Sequence, residues 1–185
     1  EAARVIVALP WRKAADVLSP LADVWPAVRQ WRTIDGSPIS GVHLWFDRPL
    51  TDLPHAVLVG TLAQWLFRPE TVASQAGGGE HYYQVVVSAS YDLESLDKQA
   101  AVDRIVGELK QAFPQAGEAR LLRHRIVTER EAVFSVRPGL DAVRPPQKSP
   151  LPGLAIAGDW TSTGWPGTLE SAVRSGYLAA EAVQG

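Results

Sequence analysis

The segment from Gly153 to Val183 constrains this chain most. Leu154 to Ala157 is a short apolar run that suits a buried strand, and Thr168 to Val183 suits a helix. Between them Gly158, Gly164, Pro166 and Gly167 leave room only for a turn. A strand–turn–helix of this kind belongs to an open, parallel α/β sheet, in which ligands meet the carboxyl ends of the strands. Each part has a chemical use. Gly158 lets a ligand approach the main chain closely. Asp159 offers a carboxylate that accepts hydrogen bonds from a polyol. The turn through Trp165, Pro166 and Gly167 delivers the N–H groups around Thr168 and Leu169 at a helix N-terminus, where the macrodipole favours negative charge. Ser171, Ala172, Ser175, Gly176, Ala179 and Ala180 make one side of the helix narrow, as close packing on a sheet or a cofactor requires. Close packing would account for Gly176, since glycine inside a helix costs about 1 kcal/mol relative to alanine. Such a unit also occurs without a ligand, so the pattern alone leaves both readings open.

The other end of the chain matches this one in kind. Arg4 to Pro10 is an apolar run expected to be a strand buried on both faces of a parallel sheet. Trp11 to Trp31, interrupted by Pro20 and Pro26, predicts short helices. The middle reads differently. Pro38 to Leu50, Ala56 to Phe67 with a turn at Gly60, Tyr82 to Ser90 and Leu121 to Val136 are expected strands. Gln75 to Glu80 is expected to be a hairpin loop. Ser95 to Phe113 has helical periodicity at Leu96, Ala100, Ile105, Val106 and Leu109, with Ser95 as its expected cap. Arg137 to Pro152 holds five prolines and reads as a connecting loop. The expected fold class is therefore α/β (α+β). A parallel unit is built from residues 1–12 and 151–185, and residues 13–150 form an inserted domain with a mixed or antiparallel sheet.

Composition narrows the function. The chain has 185 residues, 46% of them hydrophobic, with 20 acidic and 18 basic side chains and no basic run, so nucleic acid is not expected as a partner. It has no cysteine, which excludes disulfides, thiolate metal sites and a cysteine nucleophile; no metal site is expected. It has no methionine and enters a β-run almost at once, so it is expected to start inside a larger protein, a trimmed N-terminus being the alternative. No apolar run reaches the roughly 18 to 20 residues of a membrane span.

The terminal string resembles the C-terminal flavin motif of the FAD-dependent amine oxidase and phytoene desaturase superfamily. The residues that carry the resemblance are Ala157-Gly158-Asp159, Gly164 through Glu170, Ala172-Val173, Ser175-Gly176 and Ala179-Ala180. It implies FAD as cofactor, with Asp159 at the ribityl or phosphate region and the backbone near Thr168 and Leu169 at the pyrimidine edge of the isoalloxazine. A reduced flavin is negative at that edge, which the helix end favours. It also implies that a Gly-x-Gly-x-x-Gly unit, absent here, precedes residue 1 and holds the ADP half. Gly77-Gly78-Gly79 does not fit that pattern, and this chain alone is expected to bind FAD weakly or not at all.

Within the superfamily, Pro38 through Leu50 and Gln64-Trp65-Leu66-Phe67 are most similar to bacterial hydroxysqualene dehydroxylases of hopanoid synthesis. That resemblance implies reductive removal of a hydroxyl from hydroxysqualene to give squalene. Carotenoid desaturation, amine oxidation and a non-catalytic binding domain are the alternatives. Monoamine oxidases carry an aromatic cage residue where this chain has Thr168, which speaks against amine chemistry. Trp65 and Phe67 are candidate walls of an isoprenoid site and Gln64 a candidate polar contact. His43, Asp47, Arg48 and Trp45 read first as structural residues, and Arg174 as facing either a carboxylate, a phosphate or solvent. The absence of cysteine is compatible with a cytoplasmic protein, and a lipid substrate implies peripheral contact to the inner membrane.

Overall fold

Two strands 149 positions apart in the chain meet first: β1 (Val5–Ala8) pairs in parallel with β7 (Leu154–Ala157), Val5 opposite Leu154 and Ala8 opposite Ala157. The computed structural model describes residues 4–69 and 79–184. Within them the chain divides into two compact units: one from residues up to Gly36 together with those from Val133 on, the other Ser37–Ala132.

In the first unit, β1 leads into α1 (Trp11–Val17), a 3-10 turn at Ser19–Leu21 and α2 (Ala27–Trp31), the short helices that the prolines predict. The indole rings decide their packing. Trp11, Trp25, Trp31 and Trp160 are buried together with Val28, Ile34, Phe134 and Ile156. Trp31 stands edge-on to Trp25 at 5.0 Å and beside Trp160 at 5.1 Å. Trp11 Nε1 donates to Ile34 O and Trp160 Nε1 to Leu9 O, which satisfies two buried donors and ties the helices to the strand. This shared core is why the units divide at 36/37 and 132/133, whereas composition suggested 12/13 and 150/151. Residues 13–36 lie on the core of β1 and β7. After β7 comes α5 (Leu169–Ala182), whose Ala179 is buried with Ala155 and Ala157. Burial of β1 on both faces is not observed among the described residues: Val7 is buried, while Val5 and Ile6 are 44% and 41% exposed.

The second unit is a five-stranded sheet in the order β3-β4-β5-β2-β6, with β2 Gly36–Phe46, β3 His55–Val57, β4 Trp65–Phe67, β5 His81–Ser88 and β6 Leu121–Phe134. Pairs β3–β4, β4–β5 and β2–β5 are antiparallel. Strict alternation sorts the side chains. Val42, Leu44, Phe46, Leu66, Tyr83, Val85 and Val87 face a core completed by Ala101, Val102, Ile105 and Leu109 of α4 (Lys98–Ala112). Buried Tyr83 keeps its hydroxyl satisfied, accepting from Leu50 N and donating to Thr51 O. The cap of α4 is Asp97, whose Oδ1 accepts from Gln99 N and Ala100 N, and not Ser95. Ser95 instead ends the short helix α3 (Tyr91–Glu94), donating to Asp92 O. Most of the expected hairpin loop at Gln75 to Glu80 lies outside the described residues. No helix among the described residues is long and apolar enough to cross a membrane.

Candidate functional site

The loop between β7 and α5 is determined residue by residue. Gly158 has φ +153°, and a Cβ placed there would lie 2.4 Å from Trp160 Nε1, so only glycine fits. Its N–H donates to Ser175 Oγ at 2.8 Å. Gly167 is held as tightly: an added Cβ would meet the Phe134 ring at 2.8 Å and Asp159 Oδ2 at 3.3 Å. Ser171 Oγ donates to Asp159 O at 2.9 Å and shares a hydrogen bond with Thr163 Oγ1 at 2.6 Å. The small residues Ser171 and Ser175 therefore serve as hydrogen-bonding pins between helix and loop. Gly176 does not pack closely: it is exposed, with open space where a Cβ would be.

Asp159 is half-buried at the carboxyl end of β7. Burial raises its pKa, against the lowering effects of main-chain N–H groups of Trp160 and Asp159 and of the Arg144 guanidinium. Thr168 caps α5, its Oγ1 accepting from Ser171 N at 3.2 Å and donating to Pro166 O. The N–H groups of Leu169 and Glu170, in the first turn, have no acceptor among the described residues. Trp165 is 45% and Leu169 88% exposed, and Pro166 is exposed. Trp165, Pro166, Thr168 and Leu169 are exposed and Gly158, Asp159 and Gly167 half-buried, with Asp159 Oδ2 beside Gly167. A carboxylate that can accept from hydroxyls thus stands near the start of α5, with its first-turn N–H groups. That donor set fits the polyol and the dione edge of a flavin.

In sequence the Pro-rich segment reads as a connection; in the structure it frames this loop. Arg144 donates to the carbonyls of Asp159, Trp160, Thr161 and Trp165. Gln147 Nε2 donates to Thr161 Oγ1, and Ser162 N to Pro145 O. An Arg and a Gln among prolines, ahead of an apolar strand, were the only signals available in the sequence.

The second candidate surface is the open face of the five-stranded sheet. Trp65 and Phe67 project from it, stacked at 5.9 Å, and both are at least 36% exposed. Trp45 packs on Tyr82 at 5.0 Å, with Arg123 4.1 Å above its ring. His43 Nδ1 and Tyr82 Oη share a hydrogen bond of 2.6 Å. Burial, then the charge of Arg125, lowers the His43 pKa, so the ring is neutral at pH 7; burial raises that of Tyr82. Gly41 leaves a notch in this face, edged by His43 Nε2, Gln84 Nε2 and Val127 O. Gln64 does not join them: its amide bonds twice to the Ser88 main chain at 2.9 and 3.0 Å, in the manner of one more strand residue. Asp47 accepts from Arg120 N and Nε, each at 2.9 Å, which lowers its pKa; it is a strand-end ion pair, with Arg48 3.4 Å away. Arg174 is exposed.

A family model described as Flavin containing amine oxidoreductase matches residues 1–184. The chain is 30% identical over 172 residues to the 15-cis-phytoene desaturase of Synechococcus elongatus, covering 88% of this chain and 36% of that protein. It is 32% identical over 178 residues to the hydroxysqualene dehydroxylase of Sinorhizobium fredii, covering 96% and 37%. Among solved structures, cyclohexylamine oxidase from Brevibacterium oxydans superposes with a TM-score of 0.64 at 14% identity, over 98% of this chain and 42% of that one, a likeness of fold alone. The chain spans little more than a third of the length of these curated relatives. It belongs to the flavin containing amine oxidoreductase family, whose cofactor is FAD.

Proposed function

We propose that this chain is part of an FAD-dependent oxidoreductase that removes the hydroxyl of hydroxysqualene to give squalene, a step of hopanoid synthesis. The observation that carries the reading is the open sheet face. Trp45, Trp65, Phe67, Val57 and Val86 supply an extended apolar and aromatic wall, as a long hydrocarbon needs. Among the polar groups on it, His43 Nε2 and Gln84 Nε2 border the Gly41 notch, where they can meet a single hydroxyl. Phytoene, a hydrocarbon, has no group for that notch. The identity to phytoene desaturases nevertheless keeps carotenoid desaturation as the second reading.

Bound FAD, when reduced, would supply the hydride, and the hydroxyl would leave with a proton as water. This chain's own residues would hold and orient the flavin. The Asp159 carboxylate would stand at the ribityl or phosphate region and accept from ribityl hydroxyls, beside Gly158, whose missing Cβ leaves room for the Trp160 indole. Backbone donors from Gly167 to Leu169 would meet the pyrimidine edge, where the helix end would favour the negative charge of the reduced ring. Trp165 and Pro166 flank them. At Thr168 a short capping side chain stands where an amine oxidase has a cage wall, which supports an isoprenoid over an amine. A lipid substrate supports peripheral contact of a cytoplasmic protein with the inner membrane.

The test is to incubate the full-length flavoprotein, reduced and without oxygen, with hydroxysqualene, and the oxidised form with phytoene and with simple amines. Squalene formation is expected. Turnover of amines alone would sink the isoprenoid reading, and turnover of phytoene alone would replace it with the second.

A further inference from the structure

Arg144 is nearly closed off from solvent, its side chain 8% exposed. Its Nε donates to Trp160 O at 3.2 Å, and Nη2 reaches Asp159 O at 3.2 Å, Thr161 O at 2.7 Å and Trp165 O at 2.8 Å. Nη1 lies 3.3 Å from Asp141, whose carboxylate is almost fully exposed. The guanidinium also stands 5.0 Å from the centroid of the Phe134 ring, the ring against which Gly167 is packed. One buried cation therefore gathers carbonyls from both ends of the loop and braces the ring beneath its last glycine. Burying a charge is costly unless it is fully hydrogen-bonded. Here main-chain dipoles, rather than a buried carboxylate, provide the compensation.

We propose that Arg144 is a positioning residue for the cofactor: it sets the peptide planes from Asp159 to Trp165, and through them the Asp159 carboxylate and the backbone at Gly167. The inference rests on the assignment of this loop to FAD. It needs a planar fork, since an ammonium at the end of a lysine cannot span four carbonyls drawn from two stretches of chain. The Asp141 contact is dispensable to it.

The test uses the full-length holoprotein with Arg144→Lys, Arg144→Gln and, as control, Asp141→Asn. Three quantities are read: the melting temperature without FAD, the FAD dissociation constant by flavin fluorescence, and the visible absorption band of bound flavin. Both Arg144 variants are expected to weaken FAD by at least about tenfold, the loss that follows removal of charge-assisted hydrogen bonds, and to alter the band. Asp141→Asn should stay within about twofold of the parent, by the small worth of an exposed ion pair. Arg144→Lys binding FAD as tightly as the parent, with an unchanged band and a lowered melting temperature, would overturn the proposal and leave Arg144 a stabilising residue. Failure of both Arg144 variants to fold would do the same. A parent protein that binds no FAD would instead remove the cofactor assignment on which the inference stands.

Discussion

Asp159 carries a conflict between stability and binding. Burial raises its pKa, so the folded protein holds the proton to higher pH than the unfolded chain does. Stability contributed by this group is therefore present at low pH and falls as pH rises through the window between the ordinary carboxylate value and the raised one. Asp159→Asn removes the charge and keeps the shape. In thermal unfolding without FAD at pH 7 the variant is expected to melt higher than the parent, with the gap closing at pH values below the ordinary carboxylate range. FAD affinity should fall in the same variant. An equal or lower melting temperature at pH 7 would show that the main-chain N–H groups and Arg144 already offset the burial. The position of Asp159 at the end of β7 was legible in the sequence because it is local: a strand, a glycine and a carboxylate stand side by side. Arg144 was not, because its acceptors lie 15 to 21 positions further on and a Pro-rich stretch has no periodicity that would indicate which way its side chain turns.

Elements show the same division between local and distant causes. The strands of the second unit were readable from alternation and β-branched content, and the register of β2 on β5 follows from keeping Val42, Leu44 and Phe46 on the face of Val85 and Tyr83. The start of α4 was misplaced by two positions, because Ser95 and Asp97 are both good caps and periodicity does not choose between them. The hydrogen bonds from Gln99 and Ala100 do choose. Asp97→Ala is expected to cost about 1 kcal/mol of stability, and Ser95→Ala less, as measured by denaturant unfolding of the two variants side by side. Gln64 shows a related ambiguity. A lone amide in an apolar run suggests a ligand contact, yet an amide can also stand in for a peptide group, as it does here against Ser88.

On the scale of the whole molecule, the two larger hydrophobic cores among the described residues carry most of the burial, one gathered around Trp11, Trp31 and Trp160 and the other around Ile105, Leu109 and the inner face of the sheet. Truncating a buried large side chain costs about 2–5 kcal/mol. Trp160→Ala is expected to raise hydrogen exchange in β1, α1 and α5 first, and Ile105→Ala in β2, β5 and α4 first; uniform acceleration throughout would show a single cooperative unit instead. That the unit formed from the two ends extends inward to Gly36 and Val133 could not be read from composition, since indole packing between distant segments leaves no periodic trace. The parallel pairing of β1 with β7 also bears on how the protein is made. The bond from Trp160 to Leu9 joins residues 151 positions apart. A ribosome adds roughly 5–20 residues each second, so β1 waits on the order of ten seconds for its partner strand. Throughout that interval the nascent Val-Ile-Val run lacks β7, and this pairing closes only after Leu154–Ala157 has been synthesised.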